Sequence, residues 1–337
     1  MELQLKNIGM IKEANVKIDG LTIIAGENDT GKSTVGKALF VMIKSAKKGL
    51  TKERPYSKIK ENVFLLNVNF LLEQLFKEGS LEENGFISLD INGREYSHKR
   101  EDIFETPDIV HETIGGVSND EDEIIFIETP LVWNFTDFFR DIALIESQMK
   151  IAVDYPYLMK DLNFKLFIKN ASDGLDIKDK VTSLMGGEFK KDEMGRYYFD
   201  KQGERIELVN TATGIKYFGI FQVLSQNNYL NKNTVLVLDE PEVHLHPKWQ
   251  LEMAKIIVEL VKNGVKILVN SHSPYMIEAL ERYAEKAEVP SDFYLAEDGV
   301  IDKVEDNNSK TLAKIFHKLS APYETFNQMD SEILKGG

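Results

Sequence analysis

The chain has 337 residues, 42% apolar and 28% charged, with 41 Lys and Arg against 55 Asp and Glu for a net charge of −14. That length suits one elaborated domain or two lobes around a substantial core, and the composition excludes a collagen-like or low-complexity protein. The acidic balance works against nucleic-acid binding except through a local basic patch, and the absence of cysteine removes disulfides, thiolate metal sites and cysteine nucleophiles together.

In chain order, residues 3–8, 14–18 and 21–24 read as three short strands, the last apolar enough to be buried on both faces. A glycine-bracketed loop, 26–33, leads into a helical stretch over 33–47 with Val35, Leu39, Met42 and Ile43 on one face. From 44 to 60 lies a basic segment, Lys44, Lys47, Lys48, Lys52, Arg54, Lys58 and Lys60, broken only by Glu53. An apolar helical segment over 64–76 follows, then a hairpin over 86–96 about Asn92-Gly93. A strand at 124–127, a helix over 157–168 and a second hairpin about Gly203 complete the middle of the chain.

Beyond residue 205 the pattern sharpens into helix 215–224, strand 235–238, helix 248–261, strand 265–269, helix 276–284, two short strands about Asp298-Gly299 and a helix near 312–319. Strands alternating with helices predict a parallel α/β sheet there. No sustained heptads appear, and no apolar run is long enough to span a bilayer. With an N-terminus lacking a signal-peptide pattern, the expectation is a cytoplasmic protein with no membrane segment of its own.

Gly26-Glu27-Asn28-Asp29-Thr30-Gly31-Lys32-Ser33, followed by Thr34, matches the phosphate-binding P-loop at every fixed position. The glycines let successive amides turn inward around phosphates at the positive end of a helix. Lys32 is placed to reach the β- and γ-phosphates, and the Ser33 hydroxyl to ligate Mg²⁺. The apolar strand 234–238 ends in Asp239-Glu240, two carboxylates that are costly there unless a cation sits beside them. Asp239 is then the second Mg²⁺ ligand and Glu240 the general base that polarises the attacking water.

The run Asp239-Glu240-Pro241-Glu242-Val243-His244-Leu245-His246-Pro247, then Gln250, then Asn270-Ser271-His272-Ser273-Pro274, resembles the ABC-type ATPase heads of the RecF and SMC class. It is most similar to compact bacterial ATPases related to the overcoming-lysogenization-defect (OLD) family, many of them in anti-phage systems. The N-terminal Leu5-Lys6-Asn7-Ile8-Gly9 and Gly20-Leu21-Thr22 resemble the same group.

The resemblance implies an α/β P-loop NTPase: one ABC-type head with a mixed sheet and N-terminal antiparallel strands. Its discontinuous core would span about 1–50 and 205–337, with an inserted helical and hairpin lobe over about 51–204 that lends one core strand at 124–128. His272 matches the switch histidine that contacts the γ-phosphate. The signature segment falls on Ala212-Thr213-Gly214-Ile215-Lys216, which keeps only the glycine and lysine, with Thr211 or Thr213 as the hydroxyl. Glu128, after the strand 124–127, stands where the family's glutamine loop falls and is not assigned to it.

The implied function is Mg²⁺-dependent hydrolysis of ATP by a head-to-head homodimer that controls a partner effector, a nuclease or toxin, in anti-phage defence. The alternatives are a repair ATPase that binds DNA through the basic segment, and a non-hydrolysing ATP-gated scaffold. A transporter subunit is disfavoured by the 242–246 sequence, and an attached nuclease domain by the short stretch after His272. A metal site on His244, His246 and His272 is a further, weaker reading of the His-x-His pair.

Overall fold

Alternation near the N-terminus produces β1 (Glu2–Ile8) and β2 (Ile11–Lys17), and the apolar run that follows produces β3 (Leu21–Ala25). The computed structural model describes residues 1–48, 63–76, 81–102, 123–149 and 156–336. β4 (Leu81–Ile91) and β5 (Arg94–Lys99) form the hairpin about Asn92-Gly93, and β6 (Glu123–Ile127) follows. A separate three-stranded sheet comprises β7 (Glu188–Lys191), β8 (Tyr197–Lys201) and β9 (Glu204–Glu207). The remaining strands are β10 (Thr234–Asp239), β11 (Lys266–Ser271), β12 (Ser291–Glu297) and β13 (Val300–Asp302).

The main sheet runs β5-β4-β1-β2-β13-β12-β3-β11-β10-β6. Its two halves differ in character. β12, β3, β11, β10 and β6 are parallel neighbours, whereas β2, β1, β4 and β5 pair antiparallel. The hairpin β4–β5, expected in an inserted lobe, instead pairs with β1 and extends this sheet. The segment 51–204 therefore lends three strands, not one. Leu81, Ile87 and Leu89 explain why, since this apolar face of β4 is buried in one cluster with β1 and the neighbouring helices.

In the parallel half, successive residues serve opposite cores. Ile23, Leu236, Leu238, Ile267 and Val269 belong to one apolar cluster, and Ile24, Val235, Val237 and Leu268 to the other. That period-2 division is what a strand buried on both faces requires. Helices α1 (Lys32–Lys48) and α2 (Val63–Phe76) cover one face, and α4 (Tyr157–Phe167), which follows α3 (Thr136–Met149), lies beside β6 and sends Leu158 into that cluster and Leu162 and Leu166 into the other. α5 (Lys178–Met185), α6 (Thr213–Gln226), α7 (Pro247–Lys262) and α8 (Pro274–Ala287) build the other cluster. α9 (Asn308–Gly336) starts against β12. Among the described residues no helix is long and apolar enough to cross a membrane.

His98 on β5 is fully buried, and both ring nitrogens lack a hydrogen-bond partner among the described residues. Burial holds its pKa below the ordinary 6.5, against the weaker opposite pull of Asp102. The unfolded chain therefore takes up a proton near pH 6.5 that the folded chain refuses. Stability is expected to fall as pH drops from 6.5 to the depressed folded value, and His98→Leu to lose less between pH 7.5 and 5.5 than wild type. Urea unfolding at the two pH values measures this; equal losses would place the titration elsewhere.

Candidate functional site

Parallel pairing aligns the carboxyl ends of β3, β11, β10 and β6 in one row, with Ala25 opposite Ser271, Asn270 opposite Asp239 and Leu238 opposite Ile127. Loops leaving such a row converge on one crevice, the usual ligand position in α/β sheets. The P-loop leaves β3, Glu128 follows β6, Glu240 follows β10 and His272 follows β11.

The two P-loop glycines are needed for different reasons. Gly31 has φ +93°, a left-handed conformation, and a Cβ there would lie 2.3 Å from Ile11 Cδ1. Gly26 needs space, since its Cβ would lie 2.4 Å from the Ala296 carbonyl oxygen. Asn28 and Asp29 are exposed on the loop, Asp29 with φ +66°, and Thr30 Oγ1 donates to the Glu27 carbonyl at 2.9 Å. Thr34 is half-buried beside Gly9.

Lys32 is 4% exposed, and its Nζ donates to the carbonyls of Gly26 at 3.1 Å and Glu27 at 2.6 Å. Burial lowers its pKa, opposed by the charges of Glu240, Asp239, Glu242 and Glu27. A buried ammonium bent back onto its own loop is ready to exchange those carbonyls for phosphate oxygens.

Ser33 Oγ donates to Asp239 Oδ1 at 3.1 Å, and Asn270 Nδ2 donates to the same oxygen at 2.8 Å. Burial raises the Asp239 pKa, with those two hydrogen bonds pulling it back down. Two hard oxygens side by side in a desolvated pocket, one on a carboxylate disfavoured as an anion, fit the donor preference of Mg²⁺. Glu240 takes φ +49°, a strained conformation for a non-glycine residue, and its N–H donates to the Asn270 carbonyl at 2.9 Å. Its Oε1 lies 3.2 Å from His272 Nδ1, and both side chains remain about one-third open, at 35% and 37%. Lys32, Ser33, Asp239, Glu240 and His272 are thus brought together from three strand ends far apart in sequence.

Three supporting residues take hydrogen-bonding roles beyond what the resemblance implies, which places Glu242 only in the loop, 242–246, that follows the catalytic glutamate and crosses the dimer interface. Asn270 is fully buried and bridges the Asp239 and Glu240 turns as described. Glu242 Oε1 accepts from Ser271 Oγ, His272 N and Ser273 N at 2.7, 2.9 and 3.1 Å. Gln250 Oε1 accepts from Ser273 Oγ at 2.8 Å. Their signal in the sequence is their presence in the quoted runs, because the partners named here lie 23 to 31 residues away.

Thr213 and Gly214 begin α6, where a Cβ on Gly214 would lie 3.3 Å from Leu245 Cδ2 and 3.5 Å from the Trp249 ring. Gly214 thus sits against the segment that follows Glu240. Lys216, five per cent exposed, donates to Asn134 Oδ1 at 2.7 Å, and Thr211 Oγ1 donates to the Glu207 carbonyl. His246 caps α7 by accepting from the Lys248 N–H at 3.3 Å, so its ring nitrogen has a structural use. Among the described residues no group of three or more His, Asp or Glu is arranged to hold a metal ion.

The basic segment requires a correction. Lys44, counted there as a phosphate contact, is half-buried and ion-paired with Asp161 at 2.6 Å and Glu123 at 3.8 Å. Lys165, 2% exposed, joins the same pair of acids from α4. The apolar face of α1 places Lys44 inward, where a buried cation needs acidic partners. The side chains of Lys47 and Lys48, and residues Lys52, Arg54, Lys58 and Lys60, lie outside the described residues.

The family described as AAA ATPase domain matches residues 140–277, which include Asp239, Glu240 and His272. Septu protein PtuA of Bacillus thuringiensis is 23% identical over 311 residues, covering 82% of this chain and 72% of that protein. Among solved structures, the SmcHead bound to the C-winged helix domain of ScpA is similar at TM-score 0.47 and 15% identity, covering 90% of this chain and 96% of that one. The ADP conformation of MJ1267, an ATP-binding cassette of an ABC transporter, is similar at TM-score 0.41 and 15% identity, over 95% and 99% of the two chains. An intact P-loop beside a strand ending in Asp239-Glu240, a parallel half-sheet joined to N-terminal antiparallel strands, and the AAA ATPase domain match over residues 140–277 all fit an ABC-type ATPase head of the SMC and OLD class.

Proposed function

We propose that this head is a Mg²⁺-dependent ATP hydrolase that works as an ATP-gated homodimer controlling a partner effector, a nuclease or toxin, in anti-phage defence. The observation that carries the hydrolase reading is the convergence of Lys32, Ser33, Asp239, Glu240 and His272 on one row of strand ends. In this reading the P-loop from Gly26 to Thr34, with Asn28, Asp29 and Thr30, wraps the phosphates, and Lys32 leaves its carbonyls for the β- and γ-oxygens. Ser33 and Asp239 hold Mg²⁺, which neutralises charge on the transferred phosphoryl group. Glu240 takes a proton from the attacking water, and His272, 3.2 Å away, senses the γ-phosphate.

Dimerisation is supported by the place of the signature segment. In the resembled family each ATP lies between one subunit's P-loop and the other's signature, and here Gly214 at the start of α6 packs beside Leu245 and Trp249. Two chains would complete two sites, and ATP would stabilise the pair by binding only the closed form. The defence role is supported by the likeness to Septu protein PtuA and by the resemblance to compact ATPases of anti-phage systems.

Sedimentation with Mg²⁺-ATP and with Mg²⁺-ADP, alongside phosphate release, tests the reading. The expected result is a dimer with ATP, a larger monomer fraction with ADP and measurable turnover. A mass independent of nucleotide removes the gated dimer, and no phosphate release removes the hydrolase. Co-purification with products of neighbouring genes tests the effector: a nuclease or toxin retained with ATP supports it, and recombination proteins favour the repair ATPase.

A further inference from the structure

We infer that Glu242 is a positioning residue: its carboxylate clamps the loop carrying His272 to the turn carrying Glu240, holding imidazole and candidate base at their mutual distance. Glu242 is 5% exposed and follows Glu240 by two residues, yet its Oε1 reaches across to β11's end and takes three donors there. Two of them are the backbone N–H groups of His272 and Ser273, so the clamp fixes the backbone from which the imidazole projects. Charged acceptors form the stronger hydrogen bonds, and three on one oxygen hold a short loop at a defined place. Gln250 adds a second tie, accepting from Ser273 Oγ at 2.8 Å while its Nε2 donates to the Leu245 carbonyl at 3.1 Å. Loop 271–273 is thereby fastened at two points to one segment, 242–250.

A packing role alone does not explain the residue. Glu242 Oε2 is buried with no hydrogen-bond partner among the described residues, an arrangement that costs free energy and that an apolar side chain would avoid. The three bonds on Oε1 are what the carboxylate supplies in return. The same oxygen lies 3.6 Å from His272 Nδ1, against 3.2 Å for Glu240 Oε1, so backbone and ring are both referred to the 240–242 turn. A loop shift of about 1 Å at such a place is enough to cost up to roughly 100-fold in rate.

The inference deepens the ATPase reading and rests on it for its kinetic arm, whereas amide exchange tests the clamp without turnover. In the full-length protein, Glu242→Ala is expected to speed exchange of the His272 and Ser273 amides about tenfold or more, with Leu268 in β11 unchanged. It should lower kcat about tenfold or more while the KM for ATP stays within about threefold, the pattern of a group that acts only on the chemical step. Glu242→Gln keeps an accepting oxygen and is expected to restore both amide protection and kcat to within about threefold of wild type.

Unchanged exchange at His272 and Ser273 in Glu242→Ala overturns the clamp, whatever the turnover. A loss of ATP affinity as large as the loss of kcat also overturns it, because the residue would then be supporting the P-loop. Should Glu242→Ala fail to fold, Ser271→Ala removes one donor and is read at the His272 amide, because Ser271 Oγ also accepts from the Ser273 N–H at 3.1 Å, with about threefold faster exchange expected and no change overturning the proposal. Wild-type protein that releases no phosphate sinks the hydrolase reading, and the exchange result still decides the clamp.

Discussion

Lys32→Ala is expected to abolish measurable ATP binding while leaving the fold intact. The Lys32 ammonium is buried, its pKa is lowered by that burial, and the carboxylates of Glu240, Asp239, Glu242 and Glu27 surround it. Phosphates brought into that acidic crevice without the lysine face like charges across a desolvated gap. Removing one partner from a buried charge pair costs about 3–5 kcal/mol, roughly 100-fold or more in affinity. Folding should survive, because Lys32 hydrogen-bonds only its own loop at Gly26 and Glu27. Titration with a fluorescent ATP analogue in Mg²⁺, alongside circular dichroism, gives the answer. An affinity within threefold of wild type would mean that the phosphates do not lie in this loop.

Glu240→Gln is the second large effect: nucleotide binding retained, hydrolysis lowered about 100-fold or more, and the ATP-bound dimer accumulating. The amide keeps the shape of the side chain and can still meet His272 Nδ1, now 3.2 Å from Oε1, but it cannot take a proton from water. Its backbone need not change, since the φ +49° turn is held by the bond from the residue 240 N–H to the Asn270 carbonyl. Phosphate release and sedimentation on the same sample separate the two consequences. Wild-type turnover in this variant would place the base on another residue, and lost turnover with no added dimer would detach hydrolysis from subunit separation.

The loop from Gly26 to Ser33 could be read in the sequence because a phosphate cradle is local: glycine spacing, lysine and hydroxyl all lie within one turn and the start of one helix. Asp239-Glu240 was legible for a related reason, two carboxylates ending an apolar strand. Asn270 and Glu242 were not, because their hydrogen-bond partners belong to the neighbouring strand end, and adjacency of β10 and β11 is a property of the sheet. Lys44 was misread for the same reason. Its basic neighbours in sequence suggested a solvated stripe, while its neighbours in space are Asp161 and Glu123, both distant along the chain.

The elements divide in the same way. Strands buried on both faces and helices with one apolar face announce themselves, because their periods are written in consecutive residues. β7 has a single apolar residue to offer, and it is a strand because it pairs with β8 and sends Phe189 into the core, stacked 4.9 Å from Trp133 over the bare backbone of Gly219. α5 buries only Val181 and Met185, and α3 leaves Phe138 and Met149 exposed, so neither shows a continuous stripe. The sequence by itself determined the P-loop pattern and the parallel half-sheet, since those signals are short-range. Tertiary structure alone decided that the 86–96 hairpin joins the main sheet, that Lys44 faces inward and that Glu242 meets the His272 loop, because each depends on which distant surface is there to be buried or hydrogen-bonded.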